Sequence, residues 1–323
     1  MIVLVTGGAG FIGRHLVRRL LATPGVEQVR VLDNLFRPCP APGSFPGDPL
    51  ATDPRVTFQK GDIRHPHTCR EAVEGAELVF HLAAQSNVLG SVTDLDYSFT
   101  SNVAGTVNVL TAARDAGCVR RVVFASSREV YGEPVDLPVA ETAPLGPKNA
   151  YGASKAAAEA YCGSFAAQGL GVSVVRMANV YGPGDQGRVI PLFCQRALAG
   201  EPLLIYGGGQ LIDFIPVGLT CEALLRVAQA APAAPVNIGS GRGTSLPELA
   251  ARVAACLPQR TVETRLLPPR GPEVLRFVAD VARMRALLGL EPPADPLAEL
   301  PEVLASMIDS AGQGSGQIAG QGA

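Results

Sequence analysis

Two hydrophobic rhythms alternate along the first half of the chain. IVLVT (2–6), VRVLD (29–33), VTFQKGD (56–62), LVFHLA (78–83), RVVFASS (121–127) and VSVVRM (172–177) are short β-branched runs. Between them, residues 11–22, 66–74, 99–116 and 150–168 carry the one-sided apolar pattern of helices. This rhythm specifies an α/β fold, a parallel sheet wound on both faces by helices. After RMANVYGPG (176–184) the texture changes to separate helices at 189–199, 219–230 and 245–256, joined by Pro/Gly loops, which reads as a second, smaller lobe. DFIPV (213–217) and VNIGSG (236–241) are expected to send strands back to the sheet or its edge. The expected division is 1–178 with return strands from about 213–239, a lobe over 179–310, and a flexible Gly/Gln tail, AGQGSGQIAGQGA, over 311–323. LFRPCPAPGSFPGDPLATDP (35–54) is too rich in proline and glycine for regular structure and is expected to form a long loop.

Composition narrows the class. The 323 residues suffice for one large or two modest domains, and 47% hydrophobic with 17% charged residues is globular. A net charge of −2 leaves no basic footprint for nucleic acid or an acidic membrane surface. Seven cysteines are scattered singly, with no Cys-x-x-Cys pair and no Cys/His cluster at metal-ligand spacing, so reduced thiols and no metal are expected. MIVLVTGG enters a strand at once, leaving no room for a signal peptide, and no apolar run approaches a membrane span. A cytoplasmic protein is the expectation.

Two local patterns carry candidate chemistry. TGGAGFIG (6–13) sets Gly7, Gly10 and Gly13 three residues apart between the first strand and the first helix. The first glycine permits the tight turn, the second lets backbone approach a pyrophosphate, and the third allows close helix–strand packing. Asp33 ends the next strand, where an acid accepts from a ribose 2′-OH and repels a 2′-phosphate, favouring NAD over NADP. The second pattern is YGASK (151–155), which places Tyr151 and Lys155 one helical turn apart, downstream of Ser126 and Ser127 in ASSREVYGEP (125–134). A nearby ammonium favours the phenolate and makes the tyrosine a base near neutral pH. Taken alone, Tyr-x-x-x-Lys also fits a surface tyrosine and a solvated lysine.

Together these motifs resemble the extended short-chain dehydrogenase/reductase family over roughly residues 1–310, and within it the nucleotide-sugar epimerases and dehydratases, closest to UDP-glucuronate and UDP-glucose 4-epimerases. The resemblance implies a Rossmann-type fold with a C-terminal substrate-binding lobe and a tightly bound NAD. Gly7, Gly10, Phe11, Ile12, Gly13, Asp33 and Asn34 would hold the cofactor. Asp62 and Ile63 of GDI would contact adenine. Leu82, Ala83 and Ala84 of HLAA would lie beside the cofactor, as would Ser126, and Asn102 of NVAGT would be structural. Tyr151 would take the proton of a sugar 4-OH, Lys155 would lower its pKa and bind the nicotinamide ribose, and Ser127 would bond the same sugar oxygen.

The resemblance also frames the fate of the 4-ketose. Where related 4,6-dehydratases carry an Asp-Glu pair, this chain has Arg128 and Glu129, and a permanent cation cannot protonate a leaving hydroxyl. Glu129 either acts at C5, as in related decarboxylases, or pairs with Arg128 or Lys148. HLAAQSNVLGS (81–91) makes Gln85, Ser86 and Ser91 candidate sugar contacts. Arg188 would either meet a uronate carboxylate or stand solvated in its loop. Asn179 would bind the diphosphate, Val189 and Tyr206 would wall the base pocket, and Arg270 and Glu273 would reach the pyrophosphate and uridine ribose. Ile212 stands where an arginine is usual, a loss that Arg276 or Arg242 would offset. The implied activity is a UDP-sugar 4-epimerase working as a homodimer through helices 99–116 and 150–168. A dehydratase or decarboxylase using Glu129, and a silent NAD-binding module, are the alternatives.

Overall fold

The computed structural model describes residues 1–36, 49–269, 271 and 274–316. Its strands begin β1 (Ile2–Thr6), β2 (Gln28–Asp33), β3 (Val56–Lys60), β4 (Leu78–His81), β5 (Arg121–Ser127) and β6 (Val172–Met177). In the lobe follow β7 (Asn179–Tyr181), β8 (Leu203–Tyr206) and β9 (Leu211–Pro216), and then β10 (Val236–Ile238). The main sheet runs β10-β6-β5-β4-β1-β2-β3, every pair parallel. The helices are α1 (Phe11–Leu21), α2 (Pro66–Val73), α3 (Val88–Thr93), α4 (Leu95–Phe99), α5 (Gly105–Ala116), α6 (Ala150–Ala167), α7 (Val189–Ala199) and α8 (Val217–Ala230).

Side chains on successive strand residues point to opposite faces, and the two cores divide accordingly. Val3 and Val5 join Leu16, Val17 and Leu20 of α1 and Leu224 of α8. Leu4 joins Val73 of α2, Val109 and Leu110 of α5, and Ala158 of α6 on the other face. A sheet covered on both sides needs apolar residues at consecutive positions, which is why the runs read as nearly continuous. Chain order departs in opposite directions from β1, toward β2 on one side and β4 on the other. The crevice at the carboxyl ends of these strands is where ligands bind in such sheets.

Three expectations are corrected here. The stretch 99–116 is not one regular helix: α4 passes through a π-helical turn at Thr100–Ala104 before α5. That turn presents Asn102, whose carboxamide accepts from Gln85 N at 2.7 Å and donates to Gln85 O at 3.0 Å and Ser154 Oγ at 2.9 Å. DFIP of the DFIPV run lies in β9, with Val217 opening α8, and β9 pairs with β7 in a separate lobe sheet, because β10 already covers the free edge of β6. Asp213 pins β9 from a fully buried position, accepting from the backbone N–H groups of Ser240, Gly241 and Ala279. The tail starts later than its composition suggests, since the last helix, Leu300–Gly316, extends through 311–316. Residues 317–323 lie outside the described part, as do 37–48 of the Pro/Gly loop.

Candidate active site

The glycines of the first turn differ in what holds them. Gly7 has φ +71°, and a Cβ there would lie 2.6 Å from Ala83 N, so the segment leaving β4 crosses too closely for a side chain. A Cβ on Gly13 would collide with the Gly7 carbonyl. Gly10 is at φ −73°, and its added Cβ would meet only Gly7 O, at 3.2 Å. Gly10 caps α1, whose first turn carries neither a capping side chain nor an acidic residue. The helix N-terminus is thus electropositive and uncovered by its own chain. Asp33 holds the loop by accepting from Ala9 N at 3.1 Å and Leu35 N at 2.8 Å; burial raises its pKa against these two bonds. Asn34 donates to Asp62 at 2.9 Å, and Asp62 also pairs with Arg64. Ile63 is buried beside Gly105. Thr6 at the end of β1 bonds His81 at 2.7 Å and accepts from Ala83 N at 3.3 Å, fixing the HLAA segment, Leu82 and Ala84 included, beside the glycine turn. Burial pushes the His81 pKa down to about 3, so this strut stays neutral.

Opposite lies the Tyr151–Lys155 pair. Asn149 caps α6, accepting from Gly152 N at 2.8 Å. Gly152 has no room for a side chain, because a Cβ would strike the Glu129 carbonyl; the first turn of α6 is therefore packed against the segment leaving β5. Lys155, 2% exposed, donates to Ala125 O at 2.7 Å, and its Nζ lies 6.0 Å from the Tyr151 ring centroid. Burial pushes its pKa down to about 8, with the Cys162 and Glu159 side chains opposing. The ammonium is thus charged at neutral pH on the helix face that also carries Tyr151. Ser127 Oγ accepts from Glu129 N at 3.2 Å. Ser126 donates to Glu159, which is ion-paired with Arg176 at 2.7 Å.

Glu129 is 5% exposed and both of its oxygens are engaged: Oε1 with Arg128 at 2.9 Å, Oε2 with the Asn149 amide at 2.7 Å. Lys148, the other expected partner, pairs with Glu133 instead. Arg128 Nε also donates to Asn179 Oδ1 at 2.6 Å. A chain of bonds thus runs from the diphosphate candidate Asn179 through Arg128 and Glu129 to the cap of the helix bearing Tyr151.

A cavity of about 510 Å³ joins these groups to the lobe. Ser126, Ser127, Arg128, Glu129 and Tyr151 form its sheet side, with Ile12 and Ser86. Asn179, Arg188, Val189 and Tyr206 form its lobe side. Arg188 pairs with Asp185 at 3.2 Å and stands 5.8 Å from the Phe11 ring. Gln85 and Ser91, the other expected sugar contacts, do not line this cavity: Gln85 Oε1 accepts from Asn87 N at 3.0 Å, and Ser91 is buried, donating to Val88 O at 2.7 Å. Asn87 and Val88 line the cavity in their place. Arg242 and Arg276 are exposed and do not line it; Arg128 and Arg196 do. Arg270 and Glu273 lie outside the described residues.

Residues 3–239 match the NAD dependent epimerase/dehydratase family. The chain belongs to that family. It is 37% identical over 305 residues to the UDP-glucose 4-epimerase of Mycolicibacterium smegmatis, covering 90% of this chain and 94% of that protein. It is also 30% identical over 305 residues to UDP-glucuronic acid decarboxylase 6 of Arabidopsis thaliana, covering 90% of this chain and 84% of that protein. The UDP-glucose 4-epimerase of Thermus thermophilus, solved in complex with NAD, superposes with a TM-score of 0.84 at 32% identity, covering 95% of this chain and 99% of that one.

NAD is the cofactor of this epimerase/dehydratase family, and the residues fit it. Gly7 and Gly13 are required by the chain's own contacts. The bare Cα of Gly10, at an uncapped helix start, is what a pyrophosphate needs. Sequence reasoning missed Asn87, Val88 and Arg196 of the cavity; Gln210 ends the LLIYGGGQ run (203–210), which with Tyr206 was expected to wall the base pocket.

Proposed function

We propose that the protein is an NAD-dependent UDP-sugar 4-epimerase, acting on UDP-glucuronate or UDP-glucose through a transient 4-keto sugar. The observation that carries this reading is the engagement of Glu129 by Arg128 and Asn149. Elimination needs a carboxylic acid free to give a proton to the leaving hydroxyl, and beside Ser127 and Tyr151 the available carboxylate is already paired. Epimerisation needs no such group.

When bound, NAD supplies reversible hydride acceptance at C4 of the sugar. The chain's residues manage the proton and the charge. Tyr151, as phenolate beside the Lys155 ammonium, takes the 4-OH proton and returns it to the product alkoxide. Ser127 holds the same oxygen, and the Glu129 N–H it receives orients its hydroxyl proton outward. Gly10, in the turn that Gly7 and Gly13 make possible, would let the backbone approach the dinucleotide phosphates, and Asp33 would meet the ribose. Asn179, with its oxygen held by Arg128, has its amide N–H groups for the sugar diphosphate, and Arg128 replaces the charge lost at Ile212.

Glu129→Gln separates the readings. The epimerase account expects kcat within about tenfold of wild type and an unchanged galacto product by sugar NMR, since Gln still accepts from Asn149. A general acid or base at C5 would lose about 10²–10⁴-fold. Release of carbon dioxide or an unsaturated sugar by the wild type would establish the decarboxylase or dehydratase reading.

The same reading includes a homodimer. Leu95 and Phe99 of α4 and Tyr161 of α6 are large exposed apolar side chains at 62%, 59% and 46%. Patches of this kind mark interfaces, and a sedimentation run returning only monomer would remove the dimer from the account. Among the described residues no helix is long and apolar enough to cross a membrane.

A further inference from the structure

We infer that Glu133 is a positioning residue for the sugar nucleotide: its carboxylate clasps the lobe segment 274–280 to the catalytic wall. The inference rests on the nucleotide-sugar reading above and concerns a residue that does not itself line the cavity. Ser127 leads into a short 3-10 turn, Arg128–Tyr131, and Glu133 follows it beyond Gly132, which sits at φ +65°. From there its two oxygens reach the lobe. Oε2 accepts from Leu275 N at 2.9 Å and Oε1 from Arg276 N at 3.0 Å. Oε2 also meets Lys148 Nζ at 3.2 Å, and Lys148 adjoins Asn149, the cap of α6. Partial burial raises the pKa of Glu133, but the Leu275 N–H, the Lys148 ammonium and the Arg276 N–H outweigh it, so the carboxylate stays charged at neutral pH.

The residues on the clasped segment show what the clasp controls. Val274 is buried and lines the cavity. Phe277 is also buried; its ring stacks with Tyr131 at 5.9 Å between centroids and lies 5.8 Å from the Arg128 guanidinium carbon. Arg128 in turn lines the cavity and holds Asn179, the diphosphate candidate. The far half of the segment is tied several times over. Val278 O accepts from Val139 N at 2.7 Å, Asp280 N donates to Val139 O at 2.9 Å, and Ala279 N donates to Asp213 at 3.0 Å. The half beside the cavity is held toward the lobe by the short strand Arg276–Phe277 on β9 and by the bond from Leu211 N to Leu275 O at 2.8 Å. Glu133 holds it toward the catalytic wall. Removing that carboxylate leaves the fold tied at 278–280 and on β9, yet it releases Val274 and the Phe277 support of Arg128 from their fixed placement. The proton-handling pair Tyr151 and Lys155 keeps its own cap at Asn149, so the loss falls on binding and not on the chemical step.

The test pairs calorimetric titration of the purified NAD-loaded protein with UDP and steady-state turnover of UDP-glucose and UDP-glucuronate. Glu133→Ala is expected to weaken UDP binding and raise KM about tenfold, the scale for residues acting through a bonded network, with kcat within about twofold of wild type. Glu133→Gln offers one acceptor oxygen to two N–H groups and is expected to fall between; being nearly isosteric, it keeps the comparison if Glu133→Ala does not fold. Lys148→Met removes only the exposed ion pair and should leave affinity within about twofold. Unchanged UDP affinity in the Glu133 variants, or a fall in kcat and melting temperature without a change in affinity, overturns the role of Glu133 and leaves the nucleotide-sugar reading intact. Wild type that binds UDP but turns over neither sugar overturns the epimerase reading alone, since the titration needs no turnover. Wild type that binds no UDP overturns both.

Discussion

Tyr151→Phe is expected to lower kcat by about 10²–10⁴-fold while the fold and the bound NAD stay as in wild type. The ring remains, Lys155 keeps its bond to Ala125 O, and only the oxygen that moves the proton is lost. The dependence on Lys155 has a pH signature. Its ammonium is lowered to about 8 by burial, so it is charged below that pH and neutral above it. The phenolate is stabilised only while the charge is present, and kcat should fall on the alkaline side near that value. Lys155→Met should remove the limb along with most of the activity. The same depression sets a stability trend of known sign. Between about 8 and the ordinary lysine value near 10.4, the unfolded chain binds more protons than the folded one, so this residue makes stability rise with pH there. A Tyr151→Phe enzyme with full activity would remove the phenol from the mechanism and revive the silent-module alternative.

Arg176→Met is expected to cost about 3–5 kcal/mol of stability, because it strands the buried Glu159 carboxylate. Arg176 reaches both oxygens of Glu159, at 3.0 and 3.1 Å through Nε, and its Nη1 donates to Tyr131 Oη and Glu141 O, each at 3.0 Å. Tyr131 passes the chain on to Asn237 at 2.7 Å. These bonds tie β6, β10 and α6 together directly beneath Ser126, which also donates to Glu159. Urea denaturation measures the loss. The double variant Arg176→Met with Glu159→Leu should recover much of it, since removing both charges leaves none unpaired. A single variant within about 1 kcal/mol of wild type would show that water reaches the pair.

Much of this architecture was legible because the signals are local. β1, β5 and β6 follow their apolar runs to the residue, and α6 begins one residue before Tyr151 as the spacing required. The glycine turn was equally readable, since its geometry is set within eight residues. What escaped depends on pairings between distant segments. DFIPV has the composition of a sheet strand, but which sheet it joins was decided by β10 occupying the edge of β6. Gln85 and Ser86 are neighbours of like polarity, yet the π-helical turn around Asn102 draws Gln85 back and leaves Ser86 at the cavity. The paired state of Glu129 needed Asn149, twenty residues on, to be placed beside it.

The central claim is that hydrogen leaves C4 of the sugar and comes back to the same carbon. UDP-glucose or UDP-glucuronate deuterated at C4, incubated in ordinary water and followed by NMR, tests it directly. The account predicts the galacto isomer with the deuterium still on C4. Label washed into solvent, or found on C6 of a deoxy sugar, would contradict it.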